Sequence, residues 1–374
     1  MNLNYKNFPN NTVLSLIAPT ASGKTDLAFK LFDTGRFELI SVDSALIYQG
    51  MNIGTAKPTK NELSHYPHYL VNIIKPTDTY SVANFINDVE RLIENIHQRG
   101  KIPLLVGGTM MYYMALFDGI SAVPETLASV REHIAKWRQA EGNAALYAYL
   151  KMHDPKICEK ITVHDTQRLT RAVEVYWQTG VPMSVHQTTP KTALSHDTRW
   201  HWQALAVMPD RAWLHERIER RLEMMWAEGF VSEVLELIDK YPSLSADMPS
   251  MRCVGYRQVL DFLLYLSGKD DGQEIAQKLG VNVSNVVWSW LKIQKTNTKN
   301  TLMTQYEADD TRKACQVMKN QALYATRQLA KRQYTWLRQL SNLGTPTITD
   351  VSIIPKNVTI TSFDSIKEVE KHLL

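Results

Sequence analysis

Apolar and β-branched residues gather in four short runs over the first third of the chain, at residues 13–17, 38–42, 69–74 and 102–106. Each is too short for a helix, so buried strands are predicted. Residues 24–32 and 82–99 between them have helical spacing, and in the second stretch Phe85, Val89, Leu92 and Ile96 share one face. Strands alternating with crossover helices predict an α/β fold with a parallel sheet.

From about residue 121 the strand signal fades, and residues 127–139, 144–151 and 165–178 carry helical patterns. A polar, proline-containing stretch at 186–197 leads back to strand character at 200–208. The pattern therefore predicts a helical insertion, residues 121–198, inside a discontinuous core of residues 1–120 and 199–374. Helices resume at 211–228, 231–239 and 255–267, and a long one is expected over about 312–340. Residues 268–310 read as an extra polar, irregular insertion with no assignable role.

Composition excludes some classes. With 44% hydrophobic and 21% charged residues in a chain of 374, neither disorder nor a repeat array is indicated. Residues 1–12 are polar and the run 13–17 is too short for a signal sequence or membrane span. Cys158, Cys253 and Cys315 match no zinc or redox spacing, so reduced thiols and a cytoplasmic location are expected. The net charge of +4 is modest but uneven: seven Lys or Arg residues and no acid lie between Arg312 and Arg338. Such a run suits a phosphate backbone, although a charge run alone is more often a solvated helix face.

Candidate chemistry starts after the first strand. Ala18, Pro19, Thr20, Ala21, Ser22, Gly23, Lys24 and Thr25 stand between a strand and a helix, the context of a phosphate loop. Backbone amides at the helix start can converge on phosphate oxygens, Lys24 adds a charge, and the Thr25 hydroxyl can hold Mg²⁺. Ala18 replaces the usual first glycine, so that turn needs a negative φ or room for a methyl group. Asp43 ends the second strand at the edge where ligands bind in open α/β sheets, and can hold Mg²⁺ or act as a base. The fourth strand ends in Gly107, Gly108 and Thr109; the glycines allow close backbone approach, and Thr109 is either a ligand contact or a helix cap.

Longer motifs accompany these residues: ISVDSALIYQGMNIGTAKP at 40–58, the run 103–109, QRLTR at 167–171, RCVGYRQ at 252–258 and ATRQLAKRQYTWLR at 325–338. In residues and order the chain resembles the bacterial tRNA dimethylallyltransferases, the IPP transferase family. The resemblance spans residues 13–340 apart from 268–310, which is longer than expected in that family. It implies a phosphate-loop parallel-sheet core with a helical insertion domain and C-terminal helices. It also implies transfer of a dimethylallyl group from dimethylallyl diphosphate to N6 of the adenosine immediately 3′ of the anticodon, with Mg²⁺.

An exocyclic adenine amine is a weak nucleophile because its lone pair is delocalised into the ring, so a carboxylate that takes its proton assists attack. The resemblance puts Asp43 in that role, with Thr109 near the reacting centre. Loop amides, Lys24 and Mg²⁺ at Thr25 would stabilise the leaving diphosphate. Arg221 is the expected further diphosphate contact, with Arg217 and Arg220 as neighbours on its helix. The implied tRNA contacts are Asp43, Ser44, Ala45, Leu46, Thr109, Arg131, Gln167, Arg168, Leu169, Thr170 and Arg171, then Arg252, Cys253, Val254, Gly255, Tyr256 and Arg257. They continue through Lys331, Arg332, Gln333, Tyr334, Thr335, Trp336, Leu337 and Arg338. From the residues alone, Arg327, Lys331 and Arg338 share a helical face, with Tyr334 available for packing or stacking. The target base must leave its stack to reach a pocket, and the insertion is implied to close on the anticodon stem-loop. A monomer with no membrane contact is expected.

Parts of the pattern fit three other readings: a phosphate-loop kinase of a small metabolite, a prenyltransferase of free adenine nucleotide, and a non-catalytic RNA-binding module. The first leaves the basic C-terminal helix without a use, the second leaves the insertion, and the third leaves the loop beside Asp43.

Overall fold

The computed structural model describes residues 3–121, 123–188, 191, 193–278, 280–297, 311–343 and 358–374. The chain opens with β1 (Thr12–Ile17), α1 (Lys24–Asp33), β2 (Phe37–Val42), α2 (Lys60–His65), β3 (His68–Tyr69), α3 (Val82–Gln98), β4 (Ile102–Gly107) and α4 (Met110–Phe117). Every residue of β1 and β4 is buried, as expected of parallel strands covered on both faces. This explains why those strands read as largely apolar runs, with only Thr12 and Ser15 polar in β1. Residues 69–74 are not the predicted strand: only His68 and Tyr69 pair with β2, while Ile74 makes an isolated bridge to Tyr48. Leu70 and Asn72 take φ of 63° and 57°, which turns the backbone out of the sheet.

Clustering of contacts gives two compact units, Ala115–His196 and the pair of segments Met1–Met114 and Asp197–Leu374. The first holds α5 (Ala128–His153), α6 (Pro155–Cys158), α7 (Thr166–Thr179) and α8 (Met183–His186). The two helices expected at 127–139 and 144–151 are arms of α5, joined through non-helical Gly142 at φ 80°, ψ 179°. Ile134, Leu146, Leu150, Leu169 and Val173 form the core of this unit.

The chain returns as β5 (His201–Val207), α9 (Arg211–Ala227), α10 (Phe230–Lys240), α11 (Tyr256–Leu266), α12 (Gly272–Lys278), α13 (Asn285–Asn297), α14 (Thr311–Leu343), β6 (Val358–Phe363) and α15 (Ile366–Leu373). The six strands are parallel, in the order β3-β2-β4-β1-β5-β6. Pattern reading missed β6, whose residues are mostly half-buried at the sheet edge. Residues 268–297 are not the expected irregular insertion. Helices α12 and α13 bury Ala276, Val287, Trp288 and Leu291 in the core shared with α10, α11 and α14. Residues 298–310 of that predicted insertion lie outside the described residues. Because β1 sits between β4 and β5, with β2 next to β4, the loops leaving β1, β2 and β4 meet at one carboxyl edge. Open α/β sheets bind ligands there.

Candidate active site

The phosphate loop leaves β1 and ends at Gly23, whose left-handed φ of 90° precedes Lys24 at the start of α1. Ala18 is fully buried, and the left-handed positions of the loop are Ala21 and Gly23, so the strain expected of a methyl group at Ala18 does not arise. Lys24 Nζ donates to Pro19 O at 3.3 Å. Burial brings the Lys24 ammonium down to about 8; nearby Asp43 opposes that shift and Arg221 adds to it.

Helix α9 lines the loop with arginines one turn apart. Arg217 Nε donates to Ala21 O at 2.8 Å, and Arg221 Nη2 donates to Thr20 Oγ1 at 2.5 Å. Their hydrogen bonds make Arg217, itself exposed, a loop residue beside Arg221, whereas Arg220 is exposed and has no such bond to the loop. Arg221 Nε is buried without a partner among the described residues, and Ser22 Oγ within the loop is in the same state. Buried polar groups rarely stay unpaired, and here the donors face a loop shaped for an anion. Burial also lowers the Arg221 guanidinium to about 10, against the pull of Asp43.

Across the carboxyl edge, Asp43 Oδ1 accepts from the amides of Ala45 at 2.8 Å and Leu46 at 3.4 Å. This turn fixes the carboxylate as the chain leaves β2. Thr109 accepts the Ser44 amide on Oγ1 at 3.0 Å and donates its own amide to Val42 O at 3.2 Å. The loops after β2 and β4 are thereby stitched together at Asp43. A Cβ at Gly107 would fall 2.0 Å from Val42 O, so the approach requires glycine.

The expected RNA-facing residues divide by exposure. Ser44, Arg131, Gln167, Arg168, Arg252, Lys331, Arg332, Thr335 and Arg338 are exposed. Ala45, Leu46, Thr170, Cys253, Val254 and Trp336 are half-buried. Leu169, Gly255, Tyr256, Gln333, Tyr334 and Leu337 are buried. Two arginines are engaged internally: Arg171 with Thr126 Oγ1 and Pro124 O, and Arg257 with Asp261 at 3.1 Å. Arg327, expected beside Lys331 and Arg338 on one basic face, instead pairs with Glu219 of α9 at 2.8 Å.

A family model described as IPP transferase matches residues 46–340. The chain belongs to that family. It is 54% identical over 98% of its length to a protein named tRNA dimethylallyltransferase from Psychrobacter sp. (strain PRwf-1), covering 95% of that relative. A protein of the same name from Acinetobacter baumannii (strain SDF) is 44% identical, with 88% of this chain and 91% of the relative covered. Among solved structures, the full-length tRNA isopentenylpyrophosphate transferase of Bacillus halodurans is similar with a TM-score of 0.53 and 26% identity, covering 97% of this chain and 94% of that one. A eukaryotic dimethylallyltransferase solved acting on tRNA shares the fold, with a TM-score of 0.58, 20% identity and coverage of 97% and 76%.

Sequence reasoning missed how this IPP transferase holds its motif at 44–58. Glu233, buried on α10, accepts the amides of Asn52 at 2.8 Å, Ile53 at 2.7 Å and Gly54 at 3.1 Å, and the Tyr256 hydroxyl. Buried Lys57 donates to Tyr48 O at 2.6 Å and Asn72 Oδ1 at 2.7 Å, and burial lowers its ammonium to about 8. Both residues line a cavity of about 930 Å³ that also reaches Asp26, Arg221, Met224 and Met225. The available signal was an acid inside an apolar helix face: Glu233 stands among Phe230, Val234 and Leu237, which are also buried.

Proposed function

We propose that this protein transfers a dimethylallyl group from dimethylallyl diphosphate to N6 of the adenosine immediately 3′ of the anticodon in tRNA. The observation that carries the reading is a phosphate loop lined by Arg217 and Arg221 that faces a fixed carboxylate, Asp43, within an IPP transferase chain.

The geometry supports these roles. Amides of the loop, Lys24 and Arg221 hold the diphosphate and stabilise the charge that grows on it as the allylic C–O bond breaks. Asp43 spends Oδ1 on its own turn, which leaves Oδ2 to take the N6 proton as the new N–C bond forms. Thr109, tied to Ser44, orients that carboxylate's neighbourhood. Among the described residues no three His, Cys, Asp or Glu side chains gather as a metal site. The hard hydroxyl oxygen of Thr25, beside the phosphate loop, would suit Mg²⁺. When bound, the ion would screen the charge of the leaving group.

The exposed basic side chains Lys331, Arg332 and Arg338 on α14, with Arg252, suit the phosphates of an anticodon stem-loop. Arg131, Gln167 and Arg168 in the helical unit would grip the same RNA. A reaction on tRNA suits the cytoplasm, with the protein acting as a monomer; among the described residues no helix is long and apolar enough to cross a membrane. Incubating the protein with labelled dimethylallyl diphosphate, Mg²⁺ and unmodified tRNA, followed by nucleoside analysis, should yield N6-prenylated adenosine. Its absence, or phosphoryl transfer from ATP without tRNA, would overturn the reading.

A further inference from the structure

Gln333 directly follows the exposed residues Lys331 and Arg332 on α14, yet its side chain is buried on the opposite side of the helix. Its amide is shared between two loops of the candidate site. Oε1 accepts the Thr20 amide at 3.1 Å, and Nε2 donates to Gly108 O at 2.8 Å. These partners settle the amide's orientation, because only its oxygen can accept from an N–H and only its nitrogen can donate to a carbonyl. Gly108 makes the room: a Cβ there would lie 2.6 Å from Gln333 Nε2.

The neighbouring contacts extend the clamp. Thr20 also receives Arg221, so its amide and hydroxyl are held by two different helices. Tyr334 donates to Pro209 O, just past β5, and Arg211 stacks over its ring at 5.5 Å. One turn of α14 is thus pinned to the chain leaving β1, β4 and β5. The outer side of the same stretch carries Lys331, Arg332, Thr335 and Arg338, all exposed.

We propose that Gln333 is a positioning residue that couples the two ligands. RNA phosphates on the outer face of α14 fix the turn that carries Gln333. Through its amide that turn sets the Thr20 N–H and the Gly108 carbonyl, and with them the shape of the phosphate loop. The coupling rests on the transferase reading above. It requires that RNA on the outer face of α14 favour the clamped arrangement over an unclamped one, a difference that Gln333→Met would remove.

The test reads binding, separately from turnover. Inorganic pyrophosphate with Mg²⁺ is titrated calorimetrically into the full chain, alone and saturated with unmodified tRNA, for the parent protein and for Gln333→Met. Methionine has similar length and bulk but no amide. The parent is expected to bind pyrophosphate several-fold more tightly when tRNA is bound. Gln333→Met should lose about tenfold in pyrophosphate affinity, the scale of a buried hydrogen bond left unmade, and its tRNA-dependent gain should shrink below about twofold. Its affinity for tRNA alone should stay within about twofold, since the side chain does not face the RNA; a merely structural role would lower both affinities together. Gln333→Glu keeps an acceptor for Thr20 but loses the donor to Gly108 and sets a carboxylate beside the anion-binding loop, so it should lose at least as much pyrophosphate affinity as Met.

A parent without any tRNA-dependent gain, or a Gln333→Met protein with the parental gain, overturns the inference. If the Met variant does not fold, the parental gain in Gln333→Glu overturns it, and a reduced gain supports it. Failure of the transferase reading shows itself elsewhere, as a parent protein that makes no prenylated adenosine whatever the titrations report.

Discussion

Arg221 of α9 reaches Thr20 in the phosphate loop and donates to its Oγ1 at 2.5 Å, while its Nε stays buried without a partner among the described residues. A guanidinium held in this way has a donor ready for an incoming phosphate oxygen. Arg221→Ala should therefore lower kcat/KM for dimethylallyl diphosphate by about 10²–10³-fold, the scale of one oxyanion donor. Arg220→Ala, on the exposed side of the same helix, should stay within about twofold, and steady-state kinetics with both substrates separate the two.

Asp43 ties Oδ1 to the Ala45 and Leu46 amides, and an asparagine can preserve that turn. Asp43→Asn should keep the fold and the affinity for pyrophosphate, but lower kcat by about 10²–10⁴-fold through loss of the proton acceptor. Unchanged single-turnover prenylation in this variant would remove Asp43 from the chemistry.

Burial holds the Lys24 ammonium at about 8, below the ordinary 10.5, so the folded protein releases this proton earlier than the unfolded chain. A bound diphosphate draws the proton back on. Pyrophosphate affinity should thus fall as pH rises above about 8, by at most about tenfold per pH unit for this single group, whereas Lys24→Arg should lack that component. The comparison cancels the titration of pyrophosphate itself. Without ligand the sign reverses: between about pH 8 and 10.5 the unfolded chain binds the extra proton, so the Lys24 contribution to stability rises with pH, measurable by thermal denaturation against Lys24→Met.

Glu233 accepts three consecutive backbone amides, those of Asn52, Ile53 and Gly54. Glu233→Ala would leave those part-buried donors and the buried Tyr256 hydroxyl without their acceptor, at a cost of about 2–3 kcal/mol in urea unfolding. Glu233→Gln, which retains one acceptor oxygen, should cost less than half as much. Equal stability of the two variants would show that the carboxylate does not hold the loop.

Much of the core was legible because its signals are local. The runs that became β1, β2 and β4 are predominantly apolar, broken only by single polar residues such as Ser15, Glu38 and Ser41, which is close to how strands buried on both faces look. The phosphate loop was legible because a strand, a short motif and a helix adjoin in sequence. The run at 69–74 misled because hydrophobicity does not report φ, and Leu70 and Asn72 leave the extended region. Helices α12 and α13 were missed because their apolar faces are short and broken by polar residues, yet α12 buries Ala276 and α13 buries Trp288 and Trp290 in the core shared with α10 and α11.

By itself, the sequence determined the elements whose cause lies within about a dozen neighbours: the buried strands, the phosphate loop and the long basic helix. It also carried the motifs that place the chain among the IPP transferases. Only the tertiary structure decided which side each polar residue serves. Arg217 and Arg221 turn to the loop while Arg220 does not, Arg327 pairs with Glu219, and Gln333 turns away from its basic neighbours to clamp Thr20 and Gly108. Those outcomes depend on partners 100 to more than 300 positions away, as in the 313 between Thr20 and Gln333. A periodic pattern records that a residue is polar, but the desolvation and pairing that fix its role arise only when the chain has closed on itself.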